Sequence, residues 1–213
     1  MSTFRLVDTI LERISEDLIS DDVLAVLVSK TRASRYGLVN RAIAHGDLVH
    51  IRQGLYLLAE RYRRRKVNLF ELAERIYGPS YVSLESALSY HGWIPEAVYE
   101  VTSSSIKRSR EFHTPIGTFS FKSVSKNAFY IGVERVVSDQ TIFFMANPWK
   151  ALMDYIYVYK KDWKSLEPVR KSLRVEDEFL NEVDSELLDE LLESYGSQRV
   201  RKFILGIQKE IRK

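Results

Sequence analysis

The sequence predicts an α+β chain in two parts. A small helical head closes with a β-hairpin, and a larger body holds an antiparallel sheet with flanking helices. Three observations carry this. Residues 1–66 hold three stretches of helical character followed by two short β-type runs around a glycine. Residues 98–145 turn β-branched and aromatic, and helical periodicity returns from 147 onward. Charge changes near the same boundary, which divides the chain into 1–66 and 67–213.

In the head, Leu6, Ile10, Leu11, Ile14 and Leu18 recur at helical spacing, which predicts an amphipathic helix over 3–19. Ser20-Asp21-Asp22 offers an N-cap and acidic first-turn residues to a second helix, Val23 to about Ser29. Ser34 caps a third helix running to His45, with Leu38, Ile43 and Ala42 or Ala44 inward and Gly46 as its stop. Leu48-Val-His-Ile51 and Leu55-Tyr-Leu-Leu58 flank Arg52-Gln53-Gly54, a hairpin signal. Three helices followed by a hairpin make a winged helix-turn-helix, whose third helix enters the major groove of DNA.

In the body, Asn68 caps a helix that stops at Gly78-Pro79, and Leu84 to Tyr90 forms a short helix closed by Gly92. Strands are expected at Val98–Thr102, Phe112–Thr114, Thr118–Val124, Ala128–Val133 and Thr141–Met145, divided by Gly117, Gly132 and Ser138-Asp139. Asn147-Pro148 starts a strong helix with Ala151, Leu152, Tyr155, Ile156 and Tyr159 on its apolar face. Asp184 and Ser197 cap two more helices, one acidic and one basic, which suits an antiparallel pair.

The net charge of +3 conceals strong segregation. Residues 30–66 carry ten basic and two acidic side chains, net +8. Such asymmetry points to nucleic acid more than the net figure does. Arg32, Ser34, Arg35, Tyr36, Asn40 and Arg41, on the third helix and the turn before it, offer groups for guanine and adenine edges and for phosphates. His50 and Arg52 on the hairpin fall where the tip approaches the DNA backbone or minor groove, and the run Arg63-Arg64-Arg65 adds positive charge. Winged helices also bind proteins, and a basic run is also an ordinary solvated linker.

Other chemistry is poorly represented. There is no cysteine, so disulfides and thiolate metal sites are excluded, and the four histidines lack metal-ligand spacing. No nucleotide-loop, zinc-protease or hydrolase-elbow motif occurs, so neither an enzyme nor a cofactor is expected. Ser83 reads as a helix cap and Glu85 as solvent-facing rather than as a hydrolytic set with His91. Lys150 and Asp154, four apart on one helix, read as a polar pair exposed to a partner, as a substrate-positioning pair, or as an ordinary surface or domain-interface salt bridge. Lys107 and Arg108 sit in a small basic loop, open to a partner or merely solvated. The longest apolar runs fall far short of a membrane span and no leader pattern opens the chain, so a soluble cytoplasmic protein is expected. Oligomeric state is not legible.

Several blocks together resemble one family. Ala42-Ile-Ala-His-Gly46-Asp-Leu-Val-His-Ile-Arg-Gln-Gly54-Leu-Tyr56 resembles the end of the winged helix in AbiEi-type antitoxins of abortive-infection, type IV toxin–antitoxin systems. Tyr81-Val-Ser-Leu-Glu-Ser-Ala-Leu88 with His91-Gly92, Gly117-Thr-Phe119 and Ala146-Asn-Pro-Trp-Lys-Ala-Leu-Met-Asp154 are similar to later blocks, in the same order. The likeness spans roughly residues 20–160. It implies a transcriptional autorepressor that binds inverted repeats in double-stranded promoter DNA. It also implies an antitoxin, used in phage defence, whose body counters a nucleotidyltransferase-like toxin without a stable complex. The alternative is a winged-helix regulator whose body senses a ligand or dimerises.

Overall fold

The computed structural model describes residues 5–28, 31–96, 98–138 and 141–211. Ser29, at the expected end of the second helix, Lys30 in the basic segment and Asp139 in an expected turn lie outside the described residues, as does the start of the first helix. The chain is mixed α+β and divides into two compact units. One is Met1–Val67 with His113–Ile116, and the other is Asn68–Phe112 with Gly117–Lys213.

The first unit runs α1 (Leu6–Arg13), β1 (Leu18–Ser20), α2 (Asp21–Leu27), α3 (Arg32–Ala44), β2 (Leu48–Arg52) and β3 (Leu55–Leu58). The three strands form an antiparallel sheet in the order β1-β3-β2. The first helix is therefore shorter than its apolar spacing predicts. Ile14 is already extended, and Leu18 and Ile19 leave the helix to pair with Leu57 and Tyr56. That pairing satisfies backbone groups and buries Ile19 completely. Ser20 caps α2 as expected, accepting from the Val23 amide. The cap of α3 is Thr31, not Ser34: the Thr31 hydroxyl accepts from the Ser34 amide, one turn earlier than predicted. Leu6, Val7, Ile10, Ile19, Leu24, Leu38 and Val39 make this unit's core.

The second unit contains α4 (Leu69–Tyr77), β4 (Ser80–Val82), α5 (Leu84–Tyr90), β5 (Glu100–Ser105), β6 (Arg110–Thr114) as far as Phe112, β7 (Gly117–Ser123), β8 (Val133–Ser138) and β9 (Thr141–Ala146). It continues with α6 (Pro148–Val158), a π-type turn at Val169–Leu173, then α7 (Asp177–Asn181), α8 (Ser185–Ser194) and α9 (Gln198–Ile211). The strand order is β6-β7-β5-β4-β9-β8. This sheet is mixed, which corrects the antiparallel expectation. β5 runs parallel to β7 and β4 parallel to β9, while β4–β5 and β8–β9 are antiparallel. Ala128–Val133 is also not a strand. Ala128 and Phe129 are buried from a turn, Gly132 takes a positive φ of 66°, and pairing resumes only at Val133.

Helix ends in this unit follow the polar caps. Asn68, Asn147 and Asp184 each accept from amides of the first turn of α4, α6 and α8. The elements beyond residue 165 complete the body's core: Leu166, Val169, Leu188, Leu191, Tyr195, Val200, Phe203, Ile204 and Ile207 join Trp149, Leu152 and Ile156. α8 and α9 pack antiparallel, with Gln208 donating to Asp189 and Arg201 to the Leu192 carbonyl. Ile211 falls outside this face and is exposed. Gly206 sits inside α9 because a methyl there would fall 1.9 Å from the Lys164 carbonyl oxygen. No described helix is long and apolar enough to cross a membrane.

Candidate functional site

In α3, Leu38, Val39 and Ala42 face the core, which turns the other side of the helix outward. That side presents Arg32, Ser34, Tyr36, Asn40 and Arg41, all exposed, with Tyr36 64% accessible. Arg35 is half-buried, on the side of the helix that carries Leu38, Val39 and Ala42. Five of the six predicted helix residues are thus exposed, on an arc that runs from Arg32 through Tyr36 and Asn40 to Arg41 and Ser34 and covers about half of the helix. The Arg41 guanidinium folds back over Gly37, 3.6 Å from where a side chain would begin, an ordinary contact that a methyl there would also make.

The β2–β3 hairpin ends at Gln53-Gly54. Gly54 has a positive φ of 74°, and a methyl there would press within 3.1 Å of the Asp21 carboxylate. The Gly54 carbonyl accepts from the Asp21 amide, tying the tip to the start of α2. His50 is exposed and lies against the Tyr56 ring at 5.8 Å. Arg52 is half-buried and donates to the Gln53 carbonyl at 3.0 Å.

Much of the basic segment after the hairpin is committed to its own unit. Asp47 is buried and accepts from Arg61 at 2.7 Å, Tyr62 at 3.1 Å and Arg5 at 3.2 Å. Burial pushes its carboxyl up. The hydrogen bonds from Arg61 and Tyr62 and the nearby guanidinium charges outweigh that and hold it below the usual aspartate value. Arg63 donates to the Leu58 carbonyl at 2.7 Å. Arg64 pairs with Asp17 at 3.0 Å and donates to the Ile14 carbonyl at 2.7 Å, just past the C-terminus of α1. This side chain closes a helix end instead of standing out toward a phosphate. Sequence spacing has no signal for such a remote partner; Arg64 keeps this pairing although it is exposed, as is Arg65, while Arg63 is half-buried. Arg64→Ala is expected to lower unfolding free energy by about 1 kcal/mol, because a partly screened pair and a carbonyl bond are lost. Urea unfolding measures the loss.

The body contains a polar cluster at its centre. Lys150 and Asp154, expected on the surface, are both fully buried, which corrects both sequence readings. Their i, i+4 spacing on α6 sets the 2.9 Å contact, but that helix face points into the core. Asp154 Oδ2 accepts from Tyr81 at 2.8 Å, Ser83 at 2.7 Å and Ser104 at 3.0 Å. Its Oδ1 accepts from Lys150 and from a very short contact with Tyr195. Lys150 also stands over the Tyr195 ring, 4.7 Å from its centre. Burial pushes the ammonium of Lys150 down while Asp154 draws it back up. Burial and the Asp154 charge push both tyrosine hydroxyls well above their ordinary value, so both remain donors.

Ser83 is accordingly not a side-chain cap of α5. Its hydroxyl is spent on Asp154. Glu85 is half-buried rather than solvent-facing. Lys107 and Arg108 are exposed, as expected. Lys107 donates to the Gly78 carbonyl and lies over the Tyr77 ring, and the Tyr77 hydroxyl donates to the Arg108 carbonyl. The Lys150–Asp154 cluster has no accessible surface, so it presents nothing to a substrate or a docking partner.

No protein-family profile matches the chain, and no curated protein matches it.

Proposed function

We propose that the chain is a DNA-binding repressor that reads duplex DNA through α3 and the β2–β3 hairpin. One observation carries this reading: the exposed half of α3 carries Arg32, Ser34, Tyr36, Asn40 and Arg41 and no acidic side chain, with Tyr36 and Asn40 at its centre. Arginine pairs bidentately with guanine and asparagine with adenine, while hydroxyls suit phosphates. The helix–strand–helix–helix–strand–strand order, with the hairpin beside the helix, supports a winged helix-turn-helix. His50 and Arg52 fall on the wing. A lone helix with this face would be too mobile to read a sequence, and the buried Leu38, Val39 and Ala42 hold it in place.

The further reading is autorepression and antitoxin action in a phage-defence operon, in the cytoplasm. It rests on the resemblance to AbiEi-type antitoxins over residues 20–160. The DNA would be inverted repeats upstream of its own gene, and the second target a nucleotidyltransferase-like toxin encoded beside it. Co-expression with that neighbouring toxin tests this half. Growth is expected to recover, and an Arg32→Ala/Arg41→Ala variant is expected to rescue equally while losing repression. Unrelieved growth arrest would contradict the antitoxin role and leave the DNA reading standing.

A further inference from the structure

A groove of about 550 Å³ opens in the first unit between the end of α1 and the outer side of α2. Arg13 and Ile14 line one wall, and Asp22, Val23, Val26 and Leu27 line the other. α2 is apolar on two sides. Leu24 is buried in the core of the unit, whereas Val26 stands about 160° away around the helix axis and is 84% accessible. Val23 and Leu27, one turn apart, are half-buried and carry the apolar surface from Val26 toward Ile14, which is also half-buried. The core of the unit takes up one apolar side of this helix and leaves the second uncovered among the described residues.

The groove adds one charge of each sign. Arg13 belongs to the last turn of α1 and Asp22 to the first turn of α2. Both are exposed, and neither joins an ion pair among the described residues. A phosphate backbone does not suit this surface, which offers it aliphatic carbon and a carboxylate beside a single guanidinium. A fitting partner is apolar at its centre and brings an anion to Arg13 and a cation to Asp22. The groove itself has that character. Across a twofold axis, residue i of one copy meets residue j of the other and j meets i, so one contact sets Arg13 against Asp22 twice.

We propose that two copies of this chain pair through this groove, with Val26 packed at the twofold axis and Arg13 of each copy meeting Asp22 of the other. The interface uses no residue of α3 or of the β2–β3 hairpin. The pairing itself stands without the DNA reading. Its consequence for DNA rests on that reading: two symmetry-related α3 helices match an inverted repeat, which has the same twofold symmetry.

Sedimentation equilibrium of the full chain without DNA tests the proposal, at about 50 mM salt, where exposed charges are less screened than at physiological salt. Four aliphatic side chains per copy make a small interface, so a reversible monomer–dimer equilibrium is expected, with a dissociation constant of about 10–100 μM. Val26→Asp, outside the core, is expected to raise that constant at least about tenfold. Arg13→Glu and Asp22→Arg are each expected to raise it about threefold or more. The Arg13→Glu/Asp22→Arg double variant is expected to return to within about twofold of wild type, because opposite charges face each other again. Near-UV circular dichroism identifies the folded variants, and Val26→Asp carries the comparison if a charge reversal disturbs a helix end. A chain that stays monomeric at about 500 μM, an undiminished dimer in folded Val26→Asp, or a folded double variant no tighter than the single ones overturns the proposal. A monomer that still protects operator DNA removes the pairing alone, and a dimer that binds no DNA removes the DNA reading alone.

Discussion

Asp154→Ala is expected to destabilise the second unit by about 3–5 kcal/mol. Removing the carboxylate leaves the Lys150 ammonium buried with no counter-charge, held only by a long 3.4 Å contact to Tyr195. It also strips the acceptor from Tyr81, Ser83, Ser104 and Tyr195 at once. Lys150→Met should cost less. Asp154 then keeps four hydroxyl donors, and a carboxylate with several hydrogen bonds tolerates burial better than an unpaired ammonium. The Lys150→Met/Asp154→Leu pair should recover part of the loss, since an apolar replacement removes both desolvation penalties. Urea unfolding followed by far-UV circular dichroism measures all three. An Asp154→Ala variant within about 1 kcal/mol of wild type would mean that the cluster does not hold the core together.

The cluster also explains why the chain continues past residue 165. Tyr195, at the end of α8, supplies one of the donors to Asp154 on α6, so the last helices close the polar centre as well as the apolar core.

The sequence carries the local half of this picture well. Ser20, Asn68, Asn147 and Asp184 mark helix starts because a cap acts on amides two or three residues away. The apolar and polar sides of α3 are equally legible, since the helical repeat separates Leu38 and Ala42 from Tyr36 and Asn40. What fails is set by remote residues. Leu18 fits a helical repeat, yet its strand is decided by Leu57, far along the chain. The spacing of Lys150 and Asp154 says they share a face but not which way it points. Tyr81, Ser104 and Tyr195 decide that from three other elements. The parallel β5–β7 pairing is hidden likewise, because β6 lies between them in sequence but outside β7 in space. Glu85 fits a solvated helix, and only the residues packed around it from other elements leave it half-buried.

The second large effect is expected on α3. Arg41→Ala and Asn40→Ala should each weaken specific DNA binding by about 1–3 kcal/mol, because each removes a group suited to a base edge. Their effect on non-matching DNA should be much smaller. Arg32→Ala, at the first turn, should act on all sequences alike if it meets phosphate, reducing the salt slope by about 0.9. None of these exposed side chains supports the core, so thermal stability should stay within about 0.5 kcal/mol of wild type. A loss of binding that tracked a loss of folding would point instead to a structural role.

The most direct measurement is a nuclease footprint of the full chain on the DNA upstream of its own gene, beside the folded Arg32→Ala/Asn40→Ala/Arg41→Ala variant at the same salt concentration. The account predicts protected inverted repeats with the wild-type chain and none with the variant. No protection by the wild-type chain, or equal protection by the variant, would contradict it.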